Sequence, residues 1–138
     1  MGKTSNENNL SKEDIGRLYN YLCWYEREIK YSYGQFDFND IGFQEFCKEN
    51  QIAPKNGRSH LPNKFAFHAE KPKRAQINDM AHHLLRHIRN AIAHGLVTKK
   101  GKMLYWKDYN VNMKETMNGQ IREDLFWSFL KRLIETKR

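Results

Sequence analysis

The sequence predicts an all-α fold, a small bundle of four to five helices with one short β-hairpin after the third long helix. Apolar residues recur at three- and four-residue steps in long segments, helix-capping signals stand at the ends of these segments, and one hairpin signal interrupts them. With 138 residues and no internal repeat, we expect a single domain over residues 11–138, preceded by a disordered leader over residues 1–10.

The first two helices are predicted from caps and apolar periodicity. Ser11, followed by Asp14 three positions later, is a capping-box signal, and an apolar face follows along a long first helix. After a break, a shorter helix is predicted from Asn39 or Asp40 to Asn50. Its predicted inner face consists of Phe43, Phe46 and Cys47.

Residues 54–74 contain all three prolines and are predicted to form a loop. The segment holds five of the eight net positive charges, with Phe65 and Phe67 interleaved among the basic residues. Cations that meet phosphates and rings that stack on bases suit a flexible RNA strand, so this loop is a candidate RNA-binding segment. A surface loop held down by its two phenylalanines explains the pattern equally well. The candidate RNA-binding cations are Lys55, Arg58, Lys64, Lys73 and Arg74.

The second half of the chain is predicted to contain two more helices and the hairpin. The third helix is predicted over residues 73–94, with Gly95 as the residue that ends it. The hairpin follows in residues 96–106 around a Lys-Lys-Gly-Lys turn, and a polar connection spans residues 107–119. The fourth helix is predicted over residues 120–137.

Composition and charge limit the compartment and the partners. No apolar run approaches the ~20 residues that span a bilayer, and the polar N-terminus is not a signal peptide. Cys23 and Cys47 lie in helical patterns among apolar neighbours, which favours buried free thiols in a reducing environment. The net charge of +8 favours a polyanionic partner. We therefore expect a cytoplasmic protein with no membrane partner.

The third helix carries one apolar and two polar stripes on a helix that turns ~100° per residue. No acidic residue occurs between Asp79 and Asp108. Because solvated helices ordinarily mix Glu with Lys, this cationic surface favours an anionic ligand. The polar positions expected to line an RNA cleft are His83, Arg86, His87, Asn90 and His94.

The segment "RNAIAHG", residues 89–95, resembles the R-x4-6-H motif of the HEPN superfamily. The resemblance covers residues 78–96, where the motif ends a long helix that precedes a hairpin. HEPN proteins are small all-α domains, and many are metal-independent ribonucleases, often toxins or antiviral effectors. The resemblance implies an endoribonuclease that cuts single-stranded RNA and needs neither a metal nor another cofactor.

The resemblance also implies a role for each residue that matches the motif. The 2′-hydroxyl of the RNA would attack the adjacent phosphate and leave a 2′,3′-cyclic end. His94 would act as general acid or base, and Arg89 would hold the phosphate and stabilise charge in the transition state. Asn90, one helical turn before His94, would orient His94 or bind the substrate.

The spacing of the motif predicts a homodimer. Arg89 and His94 are separated by ~140° around an ideal helix and by ~7.5 Å along it. One helix therefore does not present both side chains to one phosphate, whereas a second copy related by a two-fold axis supplies the missing half. HEPN proteins are typically dimers with composite sites, so we expect the third helices of two copies to face each other.

Several alternatives remain open from the sequence. Arg89 paired with an acid elsewhere, and His94 at a helix C-terminus, would stabilise the fold without any reaction. Asp79, His83 and His87 have the helical spacing of metal ligands but no obvious fourth ligand, so no metal site is predicted. A second hypothesis for the function is a HEPN-fold protein that binds RNA or a nucleotide without cutting it. A third hypothesis is an interaction module whose basic surface binds an acidic protein partner, such as an antitoxin.

Overall fold

The structure, a computed structural model, describes residues 10–68 and 80–137, and over these residues the chain is a mixed α/β protein. The helices are α1 (Lys12–Arg27), α2 (Ile41–Glu49), α3 (Met80–Ala93) and α4 (Glu123–Ile134), with a 3-10 helix at Ile29–Tyr31. The strands are β1 (Ile52–Ala53), β2 (Asn63–Phe67), β3 (Val97–Lys100), β4 (Met103–Tyr109) and β5 (Glu115–Arg122). They form one sheet in the order β1-β2-β5-β4-β3, parallel between β1 and β2 and antiparallel elsewhere.

The predicted all-α helical bundle is therefore wrong. Helices α3 and α4 pack on one face of the sheet, α1 packs on α3, and α2 packs on α4 and β1. None of the helices in the described ranges is long and apolar enough to cross a membrane. The predicted leader falls almost entirely on residues 1–9, which lie outside the described residues, as does the predicted start of the third helix.

Local signals correctly predicted where α1 and α2 begin and where the hairpin lies. Ser11 Oγ accepts from Asp14 N at 3.0 Å and Asp14 Oδ2 accepts from Ser11 N at 2.9 Å, which is the predicted capping box. Asp40 caps α2 through a hydrogen bond from Phe43 N to its carboxylate at 3.0 Å. Strands β3 and β4 form the predicted hairpin, with Gly101 in the left-handed region of its turn at a φ of 57°.

Two segments predicted to be irregular contain most of the missing sheet. The predicted loop over residues 54–74 contains β2, and the predicted connection over residues 107–119 contains the end of β4 and the first half of β5. In β5 the inner positions include Met117 and Ile121, while the outward positions are polar. The fourth helix begins at Glu123 and not at residue 120, because residues 120–122 complete β5.

Gly119 of β5 makes close packing possible between the sheet and α4. It lies in register between Trp106 of β4 and Phe65 of β2. A Cβ atom on Gly119 would lie 2.3 Å from Phe65 Cδ1. Because that space is free, the Phe65 ring lies over β5 and stacks on Phe129 of α4, with ring centroids 5.6 Å apart.

The two cysteines differ in their surroundings. Cys47 of α2 is buried, as expected, and its burial raises the pKa of its thiol to about 12. Cys23 of α1 is only partly buried. Both are free thiols, so the helix packing does not depend on a disulfide.

We expect Gly119→Ala to lower the free energy of unfolding by about 1–3 kcal/mol, because the added methyl group would displace the buried Phe65 ring. The matched control is Gly16→Ala in α1, where an added Cβ meets nothing within 4 Å. Since alanine is the better helix former, the control should gain about 1 kcal/mol. Urea unfolding of both variants measures the difference, and a Gly119→Ala protein as stable as the wild type would contradict this packing.

Candidate functional site

A buried histidine–aspartate pair joins α3 to the sheet. His87 Nδ1 of α3 lies 2.8 Å from Asp108 Oδ2 of β4, and the two residues are 0% and 2% exposed. On its other side, His87 Nε2 lies 2.9 Å from the backbone oxygen of His68, just after β2. One imidazole therefore connects α3 to two different strands.

The hydrogen-bond partners assign the protons of this pair. Because a backbone carbonyl oxygen only accepts, His87 Nε2 must donate to His68. The bond between His87 Nδ1 and Asp108 then contains a second proton. Asp108 also accepts from Tyr109 N at 2.9 Å and from Asn90 Nδ2 at 3.2 Å. These two donors favour a carboxylate at Asp108, so we expect the second proton to reside on His87 and the pair to be an imidazolium and a carboxylate.

The carboxylate of Asp108 orients Asn90, which in turn contacts Arg89. Asn90 donates to Asp108 through Nδ2 and accepts from Arg89 Nη1 through Oδ1 at 3.2 Å. Arg89 Nε donates to Glu26 Oε1 of α1 at 2.9 Å. A continuous chain of hydrogen bonds, called the motif network below, therefore runs from buried His87 through Asp108, Asn90 and Arg89 to Glu26.

Glu26 supplies the surface end of the motif network. Its other carboxylate oxygen lies 2.9 Å from Lys30 Nζ. The hydrogen bond from Lys30 lowers the pKa of Glu26, and the bond from Arg89 lowers it further, so Glu26 remains a carboxylate. Arg89 therefore forms an ion pair with an acidic residue of another helix, as one of the alternatives from the sequence had it.

His94 lies at the exposed end of α3. Its backbone N donates to Asn90 O at 3.0 Å, so the last helical turn extends through His94. Gly95, with a φ of 68°, then ends the helix as predicted, because the amides of residues 95 and 96 bond back to Ile92 and Ala91. Among the described residues, no hydrogen bond joins the side chains of His94 and Arg89.

The polar stripe of α3 does not form an open cleft. His83 and His87, both expected to contact RNA, are buried, and Arg86 is only partly exposed. The His83 ring packs edge-on against Tyr33, with ring centroids 5.9 Å apart. Both nitrogens of His87 are engaged, so it would have to break one of these two hydrogen bonds to bind a substrate or a metal. Within the described ranges, which exclude Asp79, no three His, Cys, Asp or Glu side chains are grouped to hold a metal.

The cations predicted to bind RNA in residues 54–74 have separate environments. Lys55 and Arg58 are exposed in the loop before β2, whereas Lys64 of β2 donates to a backbone oxygen of that loop at 3.0 Å. Phe65 is fully buried and Phe67 packs against the core, so the rings hold this segment down. Two further predicted cations, Lys73 and Arg74, lie outside the described residues.

Two residues of the motif network were not identified from the sequence. Glu26 contacts a residue 63 positions away, and Asp108 lies 21 positions from its histidine partner. For Asp108 one signal existed, since it is the first acidic residue after the cationic third helix. No local signal distinguishes Glu26 from the other acidic residues of α1.

We expect Asp108→Asn to lower the free energy of unfolding by about 3 kcal/mol, because it would leave the buried imidazolium of His87 without a counter-ion. Asp124→Asn is the control, since Asp124 forms an exposed ion pair with Arg122 at 2.7 Å. Its loss should cost less than about 1 kcal/mol. Denaturant unfolding of the two variants compares these values, and equal losses would contradict the charged pair.

The arrangement combines a fixed arginine–asparagine unit with an exposed histidine one turn later on the same helix. An arginine binds phosphate oxygens, and an exposed imidazole exchanges protons near neutral pH. No family model, curated protein or solved structure matches this chain.

Proposed function

We propose that this protein is a metal-independent endoribonuclease that cuts single-stranded RNA with Arg89, Asn90 and His94. The observation that carries the proposal is the motif network, which links the buried pair to Asn90 and Arg89 one helical turn before exposed His94. Side chains held by a second layer of hydrogen bonds are what a phosphate site requires. The resemblance of residues 89–95 to the R-x4-6-H motif of HEPN ribonucleases supports the same residues.

The proposed reaction is an internal transfer at phosphorus. The 2′-oxygen of the RNA loses a proton and bonds to the adjacent phosphorus, while the bond from phosphorus to the 5′-oxygen breaks. The 5′-oxygen receives a proton, so the products are a 2′,3′-cyclic phosphate and a 5′-hydroxyl. His94 takes part in one of these proton transfers, and Arg89 stabilises the charge that develops on the phosphoryl oxygens.

The contact of Arg89 with Glu26 is compatible with a role in phosphate binding. A guanidinium group has five N–H donors. The bonds to Glu26 and Asn90 use Nε and Nη1. Donors on both terminal nitrogens remain for a phosphate, and the two existing bonds fix the plane in which they lie. Glu26 and Asn90 thus act as positioning residues for Arg89.

An apolar surface next to the motif supports the proposed homodimer. This apolar patch surrounds a groove of about 300 Å³ between α1 and the end of α3. Ile15 and Tyr19 of the patch are 54% and 62% exposed. On α3 the patch includes Ala93 and Gly95, the two neighbours of His94 in the sequence. A second copy seated on the patch would cover these side chains and bring two His94 residues to one interface.

The position of α3 within the fold limits how far the third helices of two copies could face each other. Helix α3 lies between α1 and the sheet, so most of its length is covered within one copy. The third helices of a dimer would therefore approach only at their C-terminal ends. Helix α1, through Ile15 and Tyr19, would supply the larger part of the interface.

A protein that binds RNA without cutting it is the second candidate. The observation that favours it is the Arg89–Glu26 ion pair, which partly neutralises the cation expected to bind the phosphate. Such a protein would lose RNA affinity with increasing salt and would bind equally well without His94. An acidic protein partner, such as an antitoxin, would compete with RNA for the same cationic surface.

We expect purified protein to cut single-stranded RNA in the presence of EDTA and to leave 2′,3′-cyclic ends. His94→Ala should lower the cleavage rate by at least about 100-fold, because it removes a general acid or base. His60→Ala, at an exposed histidine in the loop before β2, is the matched control; even if this loop contacts RNA, its loss should lower the rate far less than the loss of a general acid or base. End-labelled RNA and analysis of the product termini measure both effects. Equal cleavage by the wild type and His94→Ala, or no cleavage by either, would contradict the proposal.

We expect Ile15→Glu to convert the proposed dimer to a monomer, because a buried carboxylate without a partner would oppose association. Ile41→Glu is the matched control, since Ile41 is 75% exposed at the start of α2 and lies outside the apolar patch. Sedimentation velocity gives the mass of each variant. A wild-type protein that is monomeric, or an Ile15→Glu protein that remains dimeric, would contradict this interface.

A further inference from the structure

The face of the sheet opposite α3 and α4, called the outer sheet face, carries polar side chains around a tyrosine. In β4, Leu104 and Trp106 are buried on the inner face, while Tyr105 and Lys107 alternate with them and reach solvent. Tyr105 lies in register with Thr98 of β3 on one side and with a glutamine of β5 on the other. Its ring therefore lies within the open face and not at an edge of the sheet.

A groove on the outer sheet face begins next to the motif. It has a volume of about 480 Å³ and is lined by Gly95, Leu96, Thr98, Lys100, Tyr105 and Lys107. Gly95 directly follows His94 in the chain. A polymer that lay in this groove would therefore pass from Tyr105 to the exposed histidine at the end of α3.

Two lysines flank Tyr105 along the direction of the strands. Lys107 lies two residues after Tyr105 in β4, and Lys100 of β3 pairs with Met103, two residues before Tyr105. Each lysine is exposed, and neither forms an ion pair with a described residue. Lys99 differs, because it bonds two carboxylates on the helical side of the sheet. The charge on the groove is therefore positive and accessible.

We propose that the outer sheet face binds the single-stranded RNA substrate, with Tyr105 stacked on a base and Lys100 and Lys107 bound to phosphates on either side. An aromatic ring between cations suits a single strand, because its unpaired bases offer faces for stacking and its phosphates follow at regular intervals. A duplex does not expose the faces of its internal bases. The choice of RNA over DNA rests on the proposed function, whereas the binding of a single strand rests on Tyr105 and the two lysines of the sheet.

Binding is tested without cleavage by placing every variant on a His94→Ala background. The probe is a short fluorescein-labelled oligouridine, and fluorescence anisotropy gives its Kd. Tyr105→Leu should weaken binding by about tenfold, because it removes the stacking ring and keeps an apolar side chain. Tyr105→Phe keeps the ring and should bind like the parent protein. Thermal unfolding of each variant confirms that it is folded.

The lysines are tested through the salt dependence of binding. Lys100→Gln and Lys107→Gln should each reduce the slope of log Kd against log salt by about 0.7, the value for one phosphate contact on a single strand. Lys131→Gln is the matched control, because Lys131 is an exposed residue of α4, which packs on the opposite face of the sheet. Its slope should not change.

Three results would overturn the inference. The first is a Kd for Tyr105→Leu equal to that of the parent protein. The second is a change in salt slope for Lys100→Gln and Lys107→Gln no larger than for Lys131→Gln. The third is tighter binding of duplex RNA than of the single strand. If Tyr105→Leu does not fold, the lysine variants decide alone. RNA that binds this face but is not cut by the wild type would disprove the ribonuclease and leave the binding face intact. If the wild type cuts RNA but the variants of the outer sheet face bind it normally, the ribonuclease proposal stands and the proposed binding face is wrong.

Discussion

The buried His87–Asp108 pair, which we expect to be an imidazolium and a carboxylate, constrains the elements around it. Moving each ion out of water costs several kcal/mol, which is offset only if the remaining protons and lone pairs are also engaged. The groups that engage them are His68, which directly follows β2, Asn90 of α3 and Tyr109 of β4. Any shift of α3 against the sheet here would break these hydrogen bonds and leave one buried group without its partner. The pair fixes α3 over β4 and the end of β2.

The same pair determines which motif residues are rigid and which are free. Asn90 and Arg89 belong to the motif network, so their orientations follow from the buried charges and from Glu26. His94 lies beyond the network at the exposed helix end, where its backbone N donates to Asn90 O and its side chain has no hydrogen bond to a described residue. In the proposed ribonuclease, a fixed guanidinium would bind the phosphate beside an adjustable acid or base. The sheet adds an open polar face that begins at the next residue along the chain, Gly95.

Local signals predicted the elements that depend on neighbouring residues. The capping box at Ser11, the start of the second helix near Asp40 and the glycine that ends α3 depend on contacts over a few positions, and the structure contains all three. The sheet was missed because β2 and β5 owe their stability to long-range pairing and not to a strong alternating pattern. Gly119 weakened the strand signal further, although its missing side chain is what allows the Phe65 ring to pack there.

The candidate site was predicted in part for a related reason. Helical periodicity indicates which side chains share a stripe, but it does not indicate which stripe the rest of the fold will cover. His83 and His87 share the predicted stripe and are buried, because aromatic side chains and the sheet lie against them. Arg89 and His94 remain at the surface, whereas Glu26 and Asp108 enter the network only through tertiary contacts.

The protonation state of His87 tests most directly whether a charged His87–Asp108 pair organises the motif network. Long-range proton–nitrogen NMR correlations of ¹⁵N-labelled protein at neutral pH report the state of both ring nitrogens. We expect protons on both Nδ1 and Nε2 of the wild-type protein, and a changed Nδ1 signal in Asp108→Asn. A ring with an unprotonated Nδ1 in the wild-type protein would contradict the charged pair.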